Sequence, residues 1–382
     1  MRVLLTGFGV VGQALVRLLE ERAAELYRAH GLTPRVVGVI DSRGAALSES
    51  GLTAEALLNA KRELGTIAAV DGHGLRGARA AEFVGESDAD VVVVATPTRL
   101  NDPAGDIAVL KAAFRSGKHA ISVNKAPLAV AMPALLELAR YNRRILRYSG
   151  TVGAGTPVIA LAREAARGDT IVRLRAILNG TTNYILWKMT TEGWAFEKAL
   201  GEAQRLGYAE TDPSTDIDGI DTATKIVILA NAVLGVPARL ADVAISGIRG
   251  LPLERIREAT ARGNVVKLVG EIGDATALGE SQNGGAGAAS GGPASGRSSR
   301  VVSLGEETGR RPVPQVLSVS PQEVRAGGSL DVPANLNAVC VSLKNGGDVT
   351  LIGRGAGGTE TATAIVRDLI DIWHEMGGRE ES

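Results

Sequence analysis

From Gly207 to Lys225 the chain reads GYAETDPSTDIDGIDTATK, and five carboxylates fall within twelve residues: Glu210, Asp212, Asp216, Asp218 and Asp221. Lys225 follows Asp221 by four residues, so on a helix the two side chains share a face. A lysine beside an oriented carboxylate can move a proton to or from a substrate oxygen. The same spacing also fits a helix N-capped by Asp221 with a surface ion pair. Behind Lys225 the run IVILANAVLG is apolar on nearly all sides, which buries the helix and partly desolvates its first-turn lysine. Burial lowers a lysine pKa while neighbouring carboxylates raise it, and the sequence does not sign the sum.

A second lysine, Lys125, lies in SVNKAP, where a strand ends at the carboxyl edge of a sheet and an ammonium can reach a ligand crevice; a solvated loop lysine has the same sequence. Near the N-terminus, VLLTGFGVVG runs a strand into G-x-G-x-x-G at Gly7, Gly9 and Gly12, with a helix predicted to continue to about His30. This is the turn that brings a pyrophosphate against backbone N–H groups at a helix N-terminus. The next strand, Val36 to Ile40, ends at Asp41, where an acceptor for a ribose hydroxyl belongs. Asp41 repels a 2′-phosphate and Arg43 attracts one, so NAD and NADP both stay open. Thr96 and Pro97 end another strand, either near the nicotinamide ribose or as a plain turn.

Asn179-Gly180-Thr181-Thr182-Asn183 opens a helix, offering N–H groups and hydroxyls to a substrate carboxylate or ordinary threonine capping. Thr151 to Thr156 is a second glycine loop, a connector or a cradle of carbonyls for a monovalent cation. The four histidines are scattered, without carboxylates at ligand spacing, so neither a histidine metal site nor a triad is expected. The single cysteine, Cys340, sits in an apolar strand pattern and excludes an intramolecular disulfide.

Strands are predicted at Val3–Leu5, Val36–Ile40, Val91–Ala95 and Ala120–Val123, separated by helical stretches such as Ala104–Ser116 and Ala134–Arg143. Valines on both faces of 91–94 need helices on both sides of a parallel sheet. The expectation is an α/β fold with a Rossmann-type doubly wound parallel sheet over residues 1–150. A second, α+β substrate domain is expected over 151–334, with helix Pro157–Arg167, strand Ile171–Leu178 and helices Phe196–Leu206 and Thr222–Leu234. Residues 279–300 are so rich in Gly, Ser and Ala that a disordered loop is expected there. Strand patterns return at Asn337–Leu343 and Val349–Ile352, and a helix is predicted at Thr361–Met376.

Lys plus Arg is 42 and Asp plus Glu is 42, so no net field draws nucleic acid or anionic lipid. The longest near-apolar window, Ile226 to Val236, is about half a membrane span. The single cysteine suits a reducing compartment, so a cytoplasmic protein with neither a nucleic-acid nor a membrane partner is expected.

At these residues the chain resembles homoserine dehydrogenase. The ordered set Ala203, Gly207, Tyr208, Asp212, Pro213, Asp216, Gly219, Asp221 and Lys225 carries the resemblance, together with GFGVVG, SVNKAP, TVGAGTP, NGTTNYIL and GRGAGGTETA at Gly353–Ala362. It spans nearly the whole chain apart from the Gly/Ser insert. The family implies reversible hydride transfer between L-homoserine and L-aspartate 4-semialdehyde with NAD or NADP, on the route to threonine, methionine and isoleucine. By resemblance, Lys225 is the acid/base, Lys125 assists at the reacting oxygen, and Glu210, Asp216 and Asp221 hold or orient the substrate. Gly180, Thr181 and Tyr208 contact it. The cofactor falls to Gly7, Phe8, Gly9, Val10, Val11, Gly12, Asp41, Ser42, Arg43, Thr96, Pro97 and Lys125. Gly355, Gly357 and Gly358 mark a late return of the chain, so residues from about 335 are expected to rejoin the first domain.

A homodimer is implied as well. Where some members carry Glu ahead of the second glycine loop this chain has Ser149, which leaves a sodium or potassium ion the backbone carbonyls of Ser149, Val152, Ala154 and Thr156. No kinase precedes the glycine turn and no ACT domain follows the last helix, so weak or absent threonine inhibition is expected. Asn124 to Pro127 also resembles the lysine motif of sugar and polyol oxidoreductases, a reading that leaves the acidic block without a role. A nucleotide-sensing protein would keep the glycine turn and have no use for the paired lysines and carboxylates.

Overall fold

The computed structural model describes residues 1–274 and 315–377, so the Gly/Ser-rich stretch 279–300 lies outside the described residues. The chain divides into two compact units, Met1–Pro157 with Ala356–Ser382, and Val158–Gly355.

The first unit is built on a seven-stranded sheet in the order β4-β3-β2-β1-β5-β6-β7. Its strands are β1 (Arg2–Thr6), β2 (Arg35–Asp41), β3 (Gly44–Leu47), β4 (Gly74–Arg76), β5 (Val91–Val94), β6 (His119–Ser122) and β7 (Leu146–Arg147). The strands β2, β1, β5, β6 and β7 run parallel, and β3 and β4 add an antiparallel edge. All four valines of β5 are fully buried, each burial contributing roughly 1.5–3 kcal/mol, so the centre of the sheet requires cover on both faces. Part of that cover is α1 (Val10–Glu21), through Leu15 and Leu19, and part is the C-terminal helix Gly358–Glu375, through Ile365, Leu369 and Ile372. The helix expected to run to His30 is two, α1 and α2 (Ala23–His30), divided at Arg22. After α3 (Ala54–Leu64), α4 (Ala80–Glu86) and α5 (Ala104–Arg115) comes α6, which spans Ala126–Tyr141 and so begins ahead of the predicted Ala134. It breaks from helical backbone at Ala131, two residues before Pro133, whose ring and missing N–H cannot continue a regular turn.

The second unit is a six-stranded sheet in the order β13-β12-β8-β10-β11-β9, antiparallel except where β9 meets β11. Its elements are α7 (Val158–Ala165), β8 (Ile171–Ile177), α8 (Gly180–Glu192), α9 (Phe196–Arg205), α10 (Ser214–Ile217), α11 (Ile220–Val233), β9 (Val243–Ile245), α12 (Leu253–Ala261), β10 (Asn264–Asp274), β11 (Gln315–Arg325), β12 (Leu336–Leu343) and β13 (Gly347–Arg354). Helix α11 lies so close to β10 that a Cβ on Gly270 would fall 2.7 Å from the Ile226 side chain. The return to the first unit begins at Ala356, and the expectation of a return near 335 is corrected here. Residues 336–354 are bound into the second sheet because β12 pairs with β8 along its length and β13 pairs with β12.

Candidate active site

In the second unit the acidic block folds onto the start of α8. Asn179 caps that helix: its Oδ1 accepts from the Thr182 N–H at 2.9 Å. Its Nδ2 donates to Asp216 Oδ1 at 2.6 Å and to Asp221 Oδ2 at 3.0 Å, joining two carboxylates that the sequence places five residues apart. Lys225 Nζ donates to the same Asp221 Oδ2 at 2.7 Å and to the Leu178 carbonyl at 2.5 Å. Lys225 is 7% exposed and Asp221 8%, so this is a buried, oriented pair. Asp221 is not the helix cap that its position suggests; Gly219 holds that place with φ +83, and Asp221 sits in the first turn, facing Asn179 and Lys225. Burial raises the Asp216 pKa, the neighbouring Asp221 charge adds to the rise, and the Asn179 and Thr181 hydrogen bonds only partly offset it. Capping by Asn179 leaves the N–H groups of Gly180 and Thr181, first in α8, pointing out of the helix as donors for an anion. Tyr208 is tied back by Thr181, whose Oγ1 donates to its carbonyl at 2.6 Å, and Glu210 is exposed.

In the first unit Gly7 has φ +92, and a Cβ there would lie 2.5 Å from the Ala95 carbonyl oxygen, so the turn admits only glycine. A Cβ on Gly9 would meet nothing within 4 Å, and α1 begins without a side-chain cap. Open space over uncapped helix amides fits the pyrophosphate of NAD or NADP. The side chain of Phe8 is buried in the core while Val10 is exposed, so Phe8 can serve a nucleotide only through its backbone. Gly358 packs on Val10, bringing the late glycine segment to this turn, and Gly357 has φ +134. Gly355 belongs to the second unit, where the Asn337 amide fills the place of its missing Cβ.

Asp41 ends β2 as expected, with its carboxylate already engaged: Lys61 Nζ donates at 2.8 Å, Thr66 Oγ1 at 3.2 Å, and the N–H groups of Arg43 and Ile67 at 2.9 and 3.1 Å. Burial alone would raise its pKa, but the Lys61 ammonium and the two backbone donors outweigh burial and hold it below the usual range. Ser42 and Arg43 are exposed in the turn that follows. At the other strand ends, Asn124 ties the loops together. Its Nδ2 donates to Thr96 Oγ1 at 2.9 Å and to Asp106 Oδ2 at 2.8 Å, and its Oδ1 caps the Ala126 N–H that opens α6. Lys125 is therefore delivered at the N-cap of α6, half-buried beside Thr98. Burial raises the Asp106 pKa against its bonds from Thr96 and Asn124.

The second glycine loop is clamped by the C-terminal helix. Asp368, fully buried with its pKa pushed up to about 6 by burial, accepts from Ser149 N at 3.0 Å and from Ser149 Oγ at 2.6 Å. Arg367 Nη2 donates to the Gly155 carbonyl at 2.7 Å, and Ala154 adopts φ +49. Val152 and Ala154 are buried. Arg367 thus places a positive charge beside the loop, on a carbonyl outside the four expected to face a monovalent cation. Among the described residues no group of three or more His, Cys, Asp or Glu is arranged to hold a metal ion.

Asn179, Asn124 and Asp106 tie the loops of their own units together; the sequence reading named Asn179 only as part of the segment that opens a helix and gave the side chains of Asn124 and Asp106 no part in the site. Asn179 lies 37 and 42 residues from the carboxylates it joins, beyond any local pattern. Its one local signal is an asparagine placed before a glycine and a helical stretch.

Residues 157–370 match the family model described as homoserine dehydrogenase, and residues 7–149 match that of the homoserine dehydrogenase NAD-binding domain. A homoserine dehydrogenase of Methanocaldococcus jannaschii is 36% identical over 376 residues, 98% of this chain and 99% of that one. An NAD(+)-dependent homoserine dehydrogenase of Pseudomonas canavaninivorans is 33% identical over 381 residues, 100% of this chain and 98% of that one. A hyperthermophilic archaeal homoserine dehydrogenase solved in complex with NADPH matches with a TM-score of 0.76 at 26% identity, covering 98% of each chain.

Proposed function

The chain belongs to the homoserine dehydrogenase family of NAD(P)-dependent oxidoreductases, and on that premise we propose how its own residues interconvert L-homoserine and L-aspartate 4-semialdehyde. The observation that carries the reading is the continuous chain of hydrogen bonds from Lys225 through Asp221 and Asn179 to Asp216. When bound, the nicotinamide supplies the hydride acceptor or donor. Lys225, as the neutral amine, would take the hydroxyl proton of homoserine while hydride leaves the carbon that bears that hydroxyl for the nicotinamide; in reverse, its ammonium would return the proton to the aldehyde oxygen as hydride adds to the aldehyde carbon. Asp221 fixes the direction of Nζ and stabilises the charged lysine. Lys125 bears on the reacting oxygen, where a second ammonium stabilises developing alkoxide charge.

Glu210 and Asp216 take the substrate ammonium, Gly180 and Thr181 N–H groups take its carboxylate, and Tyr208 flanks it. In this reading the first unit is the NAD(P)-binding domain and the second the substrate domain. Gly7 to Gly12 hold the pyrophosphate, Asp41, Ser42 and Arg43 meet the adenosine ribose, and Thr96, Pro97, Gly355, Gly357 and Gly358 complete the cofactor's surroundings. Because Lys61 and Arg43 offset the charge of Asp41, both NAD and NADP are accepted. The carbonyls of Ser149, Val152, Ala154 and Thr156 are the place for Na+ or K+; with Arg367 beside them, activity is expected to change little when either ion is removed. A homodimer is the expected assembly, and Ile352 on β13, 51% exposed, is an apolar side chain that such an interface could cover. Among the described residues no helix is long and apolar enough to cross a membrane. The single buried cysteine and the balanced charge suit the cytoplasm, with amino-acid biosynthesis as the setting. The test is nicotinamide absorbance with purified protein, L-homoserine and each of NAD and NADP, repeated with Lys225→Ala. Reduction that requires homoserine and disappears in the variant is expected; reduction without homoserine, or an active variant, overturns the assignment.

A further inference from the structure

The segment Gly207–Asp212 carries Glu210, yet Ala209 is its only buried residue. An exposed segment keeps one place only as far as local contacts hold it. Here the N–H groups of Tyr208 and Ala209 both donate to the Ala203 carbonyl, at 2.8 and 3.1 Å, and Thr181 holds the Tyr208 carbonyl. Two further contacts come from residues that the mechanism leaves unused. Tyr184, on α8 and 5% exposed, sets its ring 4.9 Å from that of Tyr208 at 52°, a tilted aromatic pair, and meets Trp187 at 5.9 Å. Gln204, exposed on α9, donates Nε2 to the carbonyls of Glu210 at 3.2 Å and Thr211 at 3.4 Å. Ring and amide thus hold the two sides of a turn whose outermost carboxylate is Glu210.

We propose that Tyr184 and Gln204 are positioning residues that fix Glu210 where it meets the substrate ammonium, and so set affinity for the α-amino alcohol without touching it. The proposal rests on the reading of the Lys225 cluster as the homoserine site. Loss of either contact lets Glu210 swing away in the free enzyme and weakens ground-state and transition-state binding together, which raises KM and leaves kcat in place.

The experiment measures homoserine KM, cofactor KM and kcat for the unsubstituted enzyme and for Gln204→Ala, Tyr184→Leu and Tyr184→Phe, with hydrogen–deuterium exchange over residues 205–213. Gln204→Ala, a surface change that disturbs no core, is expected to raise homoserine KM about 3- to 10-fold, the effect of losing one or two neutral hydrogen bonds. Exchange in the segment should quicken, while kcat and cofactor KM hold. Tyr184→Leu is expected to act the same way, and Tyr184→Phe, which keeps the ring, to restore the unsubstituted values. Normal homoserine oxidation with unchanged KM in Gln204→Ala overturns the positioning role and leaves the homoserine reading standing. So does a rise in cofactor KM equal to that for homoserine, which marks a general structural defect. An unsubstituted enzyme that oxidises no homoserine with NAD or NADP overturns the homoserine reading, and the positioning role with it.

Discussion

Asp41 in the first unit and Asp216 in the second are both largely buried carboxylates, and their surroundings treat them in opposite ways. Four donors converge on Asp41, one of them an ammonium, and its pKa falls. Asp216 has no direct ion pair among the described residues: it shares the Asn179 amide with Asp221 and takes a hydrogen bond from Thr181, Lys225 bonds Asp221 instead, and burial with the Asp221 charge raises its pKa. A carboxylate saturated by protein donors has little capacity left for a ligand and serves as a strut. One that must share its donors keeps acceptor capacity for an incoming ammonium. The contrast separates structure from chemistry more clearly than acidity of the sequence does, since both residues sit among polar neighbours.

The largest way to break this contrast is to remove the cation from the undersupplied side. Lys225→Ala is expected to lower kcat roughly 10²- to 10⁴-fold, the range for a lost general acid/base, while cofactor affinity measured by fluorescence titration holds. A variant within tenfold of the unsubstituted kcat would make the cluster a strut like Asp41. Asn179→Ala should act next most strongly. Loss of the cap costs α8 about 0.5–2 kcal/mol, read as a lower midpoint in denaturant, and the two carboxylates then repel without the amide between them. That repulsion should push the Asp216 pKa further up and displace the homoserine KM profile to higher pH.

The pH dependence sharpens the contrast by sign. If homoserine's ammonium binds the Asp216 carboxylate as proposed, KM should fall as pH rises through the raised pKa, by up to about tenfold per pH unit on its acid side, and Asp216→Asn should flatten that limb. For stability the raised pKa means that the protonated form contributes below the unfolded-state pKa, and the contribution is lost as pH rises through the folded-state value. Asp41, with a lowered pKa, works the other way: its contribution is present above the unfolded-state pKa and lost as pH falls through the folded-state value. Denaturant midpoints across the acid range should therefore change in opposite directions with pH in Asp41→Asn and Asp216→Asn, each taken against the unsubstituted protein. Equal slopes would erase the distinction.

Much of this architecture was legible in the residues, and where reading stopped there is a physical reason. Valines apolar on both faces marked β5, and the glycine turn marked the start of α1, because burial and left-handed backbone leave local traces. The short antiparallel strands β3 and β4, reading GAAL and GLR, carry neither alternation nor β-branched side chains and left no such trace. The start of α8 was legible at Asn179, which caps it as the segment Asn179–Asn183 led one to expect, although GTTNYILWKMTTE is rich in β-branched residues. Lys225 and Asp221 were paired from their spacing alone, since four residues on a helix is a local relation. The Asn179 bridge is not local, and neither is the capture of Asp41 by Lys61 and Thr66, 20 and 25 residues away. What the sequence withheld is the supply of donors to each carboxylate, the property that tells the two acids apart.

The smallest effect tests whether Asp41 is only a strut. If its charge does nothing but hold Lys61, Thr66 and the turn at Arg43, then Asp41→Asn lowers stability and leaves the ratio of NADP to NAD use unchanged. If the nucleotide's ribose end approaches that turn, the same substitution removes a negative charge beside Arg43 and leaves Lys61 with a neutral partner, and a 2′-phosphate gains from both changes. For charges near a surface this is expected to raise the ratio of kcat/KM for NADP over NAD about fivefold at low salt and less at high salt, because screening weakens the attraction. The salt dependence carries the decision, since a change in turn geometry would alter the ratio equally at every ionic strength. A salt-sensitive shift places the ribose beside a carboxylate that is already saturated, and the cofactor then reads the cations around Asp41 rather than Asp41 itself.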